Sequence, residues 1–365
     1  MSGLIVHEWL EPLGGAEKVV EQLADIFPEE LILAAWNDAP DRFDSDRVLE
    51  TWISKTPLRR HKALAIPFML QAWRSLTFSE IDWVLCSSHL FAHHASFRSP
   101  NQDVRKYVYA YTPARYIWNP ELDQRGDTWF ARAASRSIQK IDRRRAQEAT
   151  SVVAISQFVR ERIQQHWERS CDVIYPPVDV KFYTKSHMAD LTGSEQATLD
   201  SLPSDYVLGA SRFIPYKRLD QVIELGEAAG VPVVLAGGGP EEGMLRGLAA
   251  ETKVPVIFIN NPSRAMLREL YVRAMSFIFP AVEDFGIMPV EAMAAGTPVI
   301  AGRIGGAAET VVGGRTGRLI DFRSRGEAKD ALQAVQSYLP EDCVRRAHEF
   351  DNSIFRMRIL NWIGS

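Results

Sequence analysis

The 365-residue chain is 46% hydrophobic and carries a net charge of −4, a globular composition, and it is too long for one ordinary core, so two domains are expected. The near-balanced charge gives no reason to expect a nucleic-acid binder. Three widely spaced cysteines, Cys86, Cys171 and Cys343, fit neither a disulfide framework nor a zinc pattern and point to a reducing compartment.

The opening "MSGLIVHEWL" lacks the basic segment of a signal peptide, and no apolar run approaches the ~18–20 residues of a membrane helix. The expected location is therefore the cytoplasm. "GLIVHEW" reads as a buried strand and "GGAEKVVEQLADIF" as an amphipathic helix. "ELILAAW", "DWVLCSS", "KYVYAYT" and "SVVAIS" read as further strands, and "QFVRERIQQHW" as a helix. His89 and His93 stand four apart in "SSHLFAHH". With no acidic third ligand nearby in sequence, a helix facing the cleft or core is expected rather than a metal site. Pro176-Pro177 marks a stiff connector, and residues 184–203 read as a surface loop.

A second alternating series runs from "DYVLGAS" through "VPVVLAGGG", "VPVIFIN" and "SFIFPA" to "TPVIAG", with helices between. Strand–helix alternation builds parallel sheets covered on both faces. Meeting it twice predicts two Rossmann-like domains, residues 1–180 and 181–345, with a ligand cleft at the carboxyl ends of the strands.

Charge is unevenly spread. Residues 1–50 hold 3 Lys/Arg against 12 Asp/Glu, and residues 51–145 hold 16 against 7. In "LRRHKALAIPFMLQAWRSL" (58–76) the cations alternate with apolar residues. This is either a solvated surface or one that leans on anionic lipid.

Three constellations carry chemistry. In "FPAVEDFGIMPVEAMAAG" (279–296), Pro289 suits a first helical turn, which leaves the amides of Gly286, Ile287 and Met288 at a positive helix end able to receive phosphate. Glu283 and Glu291 flank that turn, and Glu291 also suits a helix start without any ligand. In "GASRFIPYKRLDQV" (209–222), Arg212 and Lys217 stand between a strand and a helix. Two such cations with a helix end could neutralise a diphosphate without a metal; either could equally pair with a surface acid. Gly14-Gly15 opens the first helix, where backbone can approach a ligand closely or simply turn. "LAGGGPEEG" (235–243) fails the dinucleotide spacing, since Glu242 takes the last glycine's place.

Together the Glu283-x7-Glu291 motif, "SRFIPYKRLD", "GGAEKV" and "YTPARYIW" resemble the family 4 glycosyltransferases of the GT-B fold, over residues 1 to about 345. The nearest likeness is to bacterial mannosyltransferases that extend lipid-linked glycans. The resemblance implies an α/β protein of two facing Rossmann-like domains, with a last helix (about 346–365) packing back on the first. It implies that Glu291 holds the donor ribose and Glu283 the donor sugar. Gly286, Ile287 and Met288 offer amides, Arg212 and Lys217 stabilise the departing diphosphate, and Gly14-Gly15 let the first domain close on it. Relatives carry His-Thr-Pro where this chain has Tyr111-Thr112-Pro113, which puts Tyr111 by the donor sugar. Arg115 and His89 are expected on the acceptor side. The implied reaction is retaining transfer of mannose from GDP-mannose to a lipid-linked or related glycan, without metal or cofactor, at the inner face of the membrane. A UDP-sugar donor, an epimerase and a retaining glycosidase built on Glu283 and Glu291 are the rival readings.

Overall fold

The computed structural model describes residues 2–12, 14–77, 81–98, 104–118, 129–184 and 188–364. The chain forms two compact units, Met1–Pro176 with Phe355–Ser365, and Pro177–Ile354. The division falls within the Pro176-Pro177 pair.

The first unit is built on seven parallel strands: β1 (Gly3–His7), β2 (Leu31–Ala34), β3 (Val48–Glu50), β4 (Trp83–Ser88), β5 (Arg105–Ala110), β6 (Ser151–Ala154) and β7 (Asp172–Val173). Their order is 3-2-1-4-5-6-7. β1 and β4 are buried along their whole length, as strands covered on both faces must be. The helix Gly15–Ile26 turns Val19, Val20, Leu23 and Ala24 inward, the stripe that its periodicity predicts. The helix Gln157–Trp167 begins where expected, because Ser156 Oγ accepts the Val159 amide at 3.0 Å and so satisfies one of the amides left open at a helix start.

The second unit has six parallel strands: β8 (Val207–Arg212), β9 (Val233–Gly238), β10 (Val256–Asn260), β11 (Ser276–Phe279), β12 (Val299–Gly302) and β13 (Gly317–Ile320). Their order is 10-9-8-11-12-13. Val207, Leu235, Ile278, Ile300 and Ile320 meet Val222 and Ile223 from one helix and Leu332 and Val335 from another to form its core. In each sheet the strand order reverses at one place, between β1 and β4 and between β8 and β11. The carboxyl ends flanking such a reversal are where open α/β sheets bind ligands.

The final helix, Asn352–Gly364, buries Phe355, Ile359 and Ile363, one face at i, i+4 and i+8. Tyr107 donates to the Ile363 carbonyl at 3.2 Å and Trp362 Nε1 to Ser151 Oγ at 2.7 Å. The residues from Phe355 onward thus belong to the first unit.

Two local expectations are corrected. Residues 184–203 are not a plain loop: Gly193–Asp200 is helical and starts with a capping box of Thr192 and Glu195, polar residues that serve a helix start as well as a loop. Residues 185–187 lie outside the described residues. His89 and His93 do not share a helix. His89 follows β4 in a loop, and His93 sits in a short 3-10 turn, Ala92–His94, because the loop amides turn inward to a buried carboxylate described below.

Candidate functional site

At the reversal point of the second unit, Arg212 ends β8 and Lys217 follows in a one-turn 3-10 helix, Pro215–Lys217. The chain after β11 carries Glu283. Lys217 Nζ is paired with Glu283 Oε1, with 11% and 22% of their side chains exposed. Sequence-distant residues therefore meet as an ion pair that an incoming ligand could split. Arg212 is exposed and its guanidinium donates to the Tyr216 hydroxyl at 3.4 Å.

The turn after Glu283 leads into the helix Ile287–Ala294, capped by Gly286 at φ +88°. That left-handed value suits glycine. Pro289 lies in the first turn as expected, where no intrahelical N–H is required. Gly286 is buried, while Ile287 and Met288 are partly exposed. Glu291 is buried, and Tyr271 donates to its Oε2 at 3.4 Å. The structure thus brings Lys217 to Glu283 and turns Glu291 inward, toward tyrosine.

Two glycine pairs that fix this site escaped the sequence reading. A Cβ on Gly306 would stand 2.3 Å from Phe285 Cα, and one on Gly305 2.9 Å from the Glu283 carbonyl. The Gly306 amide donates to that carbonyl at 2.8 Å. The Gly305-Gly306 loop is therefore the backbone buttress of Glu283. Gly237 (φ +142°) and Gly239 (φ +153°) likewise press on the Ser211 carbonyl and the Phe213 backbone. The run "LAGGG" thus serves close packing beneath Arg212. Gly-Gly after a strand was the available signal, but only the fold shows what each pair packs against.

In the first unit the reversal point holds buried charge. Glu8 directly follows β1. Its Oε1 accepts from Ser88 Oγ (3.1 Å) and from the amides of His89 (3.1 Å), Leu90 (2.8 Å) and Ala92 (2.9 Å). Its Oε2 stands 3.1 Å from His89 Nδ1. Burial by itself raises a carboxyl pKa, but the charge of His89 and these donors hold Glu8 well below the usual carboxylate range. Burial would lower His89, and the Glu8 charge raises it on balance. His7 is pushed down, chiefly by burial. Its Nδ1 donates to the Ser87 carbonyl at 2.9 Å.

A second cluster adjoins the first. Ser88 Oγ lies 3.0 Å from His93 Nδ1. His93 Nε2 and His94 Nε2 stand 3.0 and 2.9 Å from Asp142 Oδ1. Trp118 and Trp167 both donate to Asp142 Oδ2 at 2.7 Å. Asp142 has no exposed surface. Burial would raise its carboxyl, yet the two histidines hold it far below normal. Burial pushes His94 down to about 4. The donor atoms of His7, Glu8 and His89, and those of His93, His94 and Asp142, each lie within 4.8 Å of one another, close enough to suggest a cation. The hydrogen bonds and ion pairs on Glu8 and Asp142 account for both arrangements without one.

Tyr111 is 9% exposed. Its hydroxyl lies 2.9 Å from Ser87 Oγ and donates to the Ala16 carbonyl at 3.2 Å. It thereby fastens the first turn of the helix that Gly14-Gly15 opens. Burial drives its phenol far above the ordinary range. Gly14 and Gly15 are exposed, and a Cβ on Gly14 would strike the Glu17 carboxylate. Arg115 opens the short helix Arg115–Trp118 and is partly exposed.

Comparison with known proteins fits this frame. The family described as Glycosyltransferase Family 4 matches residues 13–182, and Glycosyl transferases group 1 matches residues 196–349. The chain belongs to the family 4 glycosyltransferases. Among the relatives of this family 4 chain, the D-inositol 3-phosphate glycosyltransferase of Mycolicibacterium smegmatis is 31% identical over 55% of the chain and 46% of its own length. A GDP-mannose-dependent alpha-(1-6)-phosphatidylinositol monomannoside mannosyltransferase of Mycobacterium tuberculosis is 31% identical over 56% of each. The alignments thus span about half the length of these curated relatives. Two solved structures share the fold of this family 4 member. HepE of Anabaena, in complex with UDP and glucose, has a TM-score of 0.71 at 19% identity with both chains fully covered. Sucrose-phosphate synthase of Thermosynechococcus elongatus has a TM-score of 0.72 at 17% identity over 100% of this chain and 98% of that one. The architecture is GT-B.

Proposed function

We propose that this chain is a retaining glycosyltransferase that moves mannose from GDP-mannose to a lipid-linked or related glycan. The observation that carries the reading is the Lys217–Glu283 pair at the reversal point of the second sheet. As the sugar leaves, negative charge grows on the nucleotide diphosphate. A lysine already fixed there stabilises it without reorganising. Arriving diphosphate takes Lys217 from Glu283, and the freed carboxylate receives a donor-sugar hydroxyl. Arg212 reaches the diphosphate from the end of β8, and the Gly286–Met288 segment presents the positive end of its helix. Glu291 holds the ribose after giving up its bond from Tyr271. Tyr111 acts within the first unit by holding the Gly14-Gly15 turn through the Ala16 carbonyl. Attack on the same face, with the departing phosphate taking the acceptor's proton, needs no enzyme nucleophile, and two cations with a helix end replace a metal.

The choice of guanine and mannose is supported by the mannosyltransferase relative. Thermal shift against GDP-mannose, UDP-glucose, GDP and UDP tests it, since ligand at ~100 times its dissociation constant stabilises by roughly 2.7 kcal/mol. A response to the uridine compounds alone would replace the donor, and loss of transfer in EDTA would end the metal-free reading.

No described helix is long and apolar enough to cross a membrane. Peripheral attachment is part of the proposal. Trp52, Leu64 and Phe68 are exposed, and Trp52 meets Phe68 edge-on. Arg60, in the same stretch of chain, is exposed, whereas Arg59, Lys62, Arg143 and Arg145 are paired with acids. The surface at 52–68 is therefore the better candidate for anionic lipid than the 143–145 run. Equal pelleting with neutral and anionic vesicles at low salt would remove it.

A further inference from the structure

We propose that Tyr183 is the positioning residue for Glu291: it holds the carboxylate in the plane that receives the donor's ribose hydroxyls, and so sets the preference for ribose over deoxyribose. This rests on the transferase reading, in which Glu291 holds the ribose, and deepens it by naming what orients that carboxylate.

The first support is the chemistry of a buried acid. Glu291 stands in the helix Ile287–Ala294 among buried Pro289, Val290, Ala292, Met293 and Ala294. A carboxylate in such company is costly unless donors meet it. Two buried phenols do. Tyr271 donates to Oε2 at 3.4 Å, a long bond. Tyr183 comes from the short helix Val180–Thr184, and its hydroxyl donates to the same carboxylate. The two rings meet edge-on at 6.1 Å. Burial first, and then the Glu291 charge, drive both phenols far above their ordinary range, so each stays a proton donor. A carboxylate offers about four acceptor sites, which two phenols alone do not exhaust.

The second is the support behind Tyr183. The Arg264 guanidinium lies 5.3 Å over its ring and 3.9 Å over that of Phe182. It also hydrogen-bonds to the Tyr183 hydroxyl and pairs with Asp179 at 2.8 Å. The segment before Asp179 is fixed by backbone: the Val178 amide donates to the Phe350 carbonyl at 2.9 Å, and the Asn352 amide to the Val178 carbonyl at 3.2 Å. A cation that donates to a hydroxyl strengthens the bond which that hydroxyl gives onward. When ribose arrives, the long Tyr271 bond is given up, and the Arg264-backed bond from Tyr183 keeps the carboxylate's plane. Packing alone would be served as well by apolar side chains at 183 and 291. The ligand class is a vicinal diol, because a fixed carboxylate accepts two neighbouring hydroxyl protons.

The test uses the full chain and titrates GDP against 2′-deoxy-GDP, or UDP against 2′-deoxy-UDP should uridine prove the base. Wild type should prefer the ribonucleotide by about tenfold or more, since the deoxy analogue leaves a buried acceptor unmatched. Tyr183→Phe keeps the ring and removes the donor. It should weaken the ribonucleotide by about five- to tenfold and the deoxy analogue by about twofold or less, narrowing the preference. Arg264→Gln, where 46% of the side chain reaches solvent, leaves the phenol without its support. It should narrow the preference by a smaller factor, with a melting temperature near wild type. A preference unchanged in whichever of these variants folds overturns the proposal. So does a preference lost in Tyr271→Phe but kept in Tyr183→Phe. A wild type that binds ribo- and deoxyribonucleotide alike overturns the ribose role of Glu291, and one that binds no nucleotide overturns the transferase reading. Both results come from the wild type alone, so failure of the parent reading is told apart from failure of this one.

Discussion

The two halves share a strand order and place polar residues at the same topological point, yet they use charge in opposite ways. In the first unit Glu8 and Asp142 are fully buried and ringed by fixed donors. In the second, Lys217 and Glu283 form one pair that water can reach. A buried anion that accepts several fixed donors, as Glu8 Oε1 and both oxygens of Asp142 do, is architecture, because moving it forfeits several hydrogen bonds in low dielectric. A pair that keeps some exposure to water can exchange partners at lower cost than a fully buried one. The first unit's charges should therefore report mainly in stability and the second's in turnover.

The largest effect is expected at Asp142. Asp142→Ala leaves two tryptophan N–H groups and two histidines unmatched and should cost about 3–5 kcal/mol, read by urea unfolding. Acid should act in the same direction. His94 has a folded pKa of about 4, below its ordinary 6.5. The unfolded chain thus binds more protons below 6.5, and stability falls as pH drops through that range. Asp142, also depressed, extends the fall below its ordinary 3.8. A melting temperature flat from pH 6.5 to 4 would break the first half of the contrast.

Next is Lys217→Ala, which should cut turnover by about 10²–10³-fold, the usual loss for one preorganised charge donor, while leaving the melting temperature close to wild type. A protein that melts early and keeps its turnover per folded molecule would reverse the assignment. Gly306→Ala tests the buttress. Its Cβ would stand 2.3 Å from Phe285 Cα, so the Glu283 turn must shift. A stability loss of about 1–3 kcal/mol with weakened nucleotide-sugar binding is expected, and unchanged binding would make the glycine merely structural. The smallest effect belongs to Tyr111→Phe, which loses the bond to the Ala16 carbonyl. A loss of about 0.5–1.5 kcal/mol at constant GDP affinity fits its place. A tenfold weaker donor affinity at constant melting temperature would move Tyr111 to the ligand.

Much of this was legible in the chain. Pro289 marked the start of its helix, the run from Gln157 declared another, and the apolar strands of both sheets declared themselves as continuous runs. These features are local, set by φ restriction, capping and hydrophobic period within a few residues. The helix at 193–200 was not legible, since Thr192 and Glu195 suit a loop equally well until they cap one another.

By itself the sequence determined two parallel α/β halves, their place near the proline pair, and the family motifs around Glu283, Glu291, Arg212 and Lys217. Tertiary structure alone decided which of those groups meet. Lys217 finds Glu283 from 66 residues away, Glu8 gathers amides from more than 80 residues along the chain, and Glu291 turns toward Tyr271 rather than outward. Gly305-Gly306 becomes a buttress only when β11 and β12 lie side by side. The reason is physical: periodicity encodes which face of an element is buried, whereas the partner of a buried charge depends on strand order and register, which pattern within a single element does not carry.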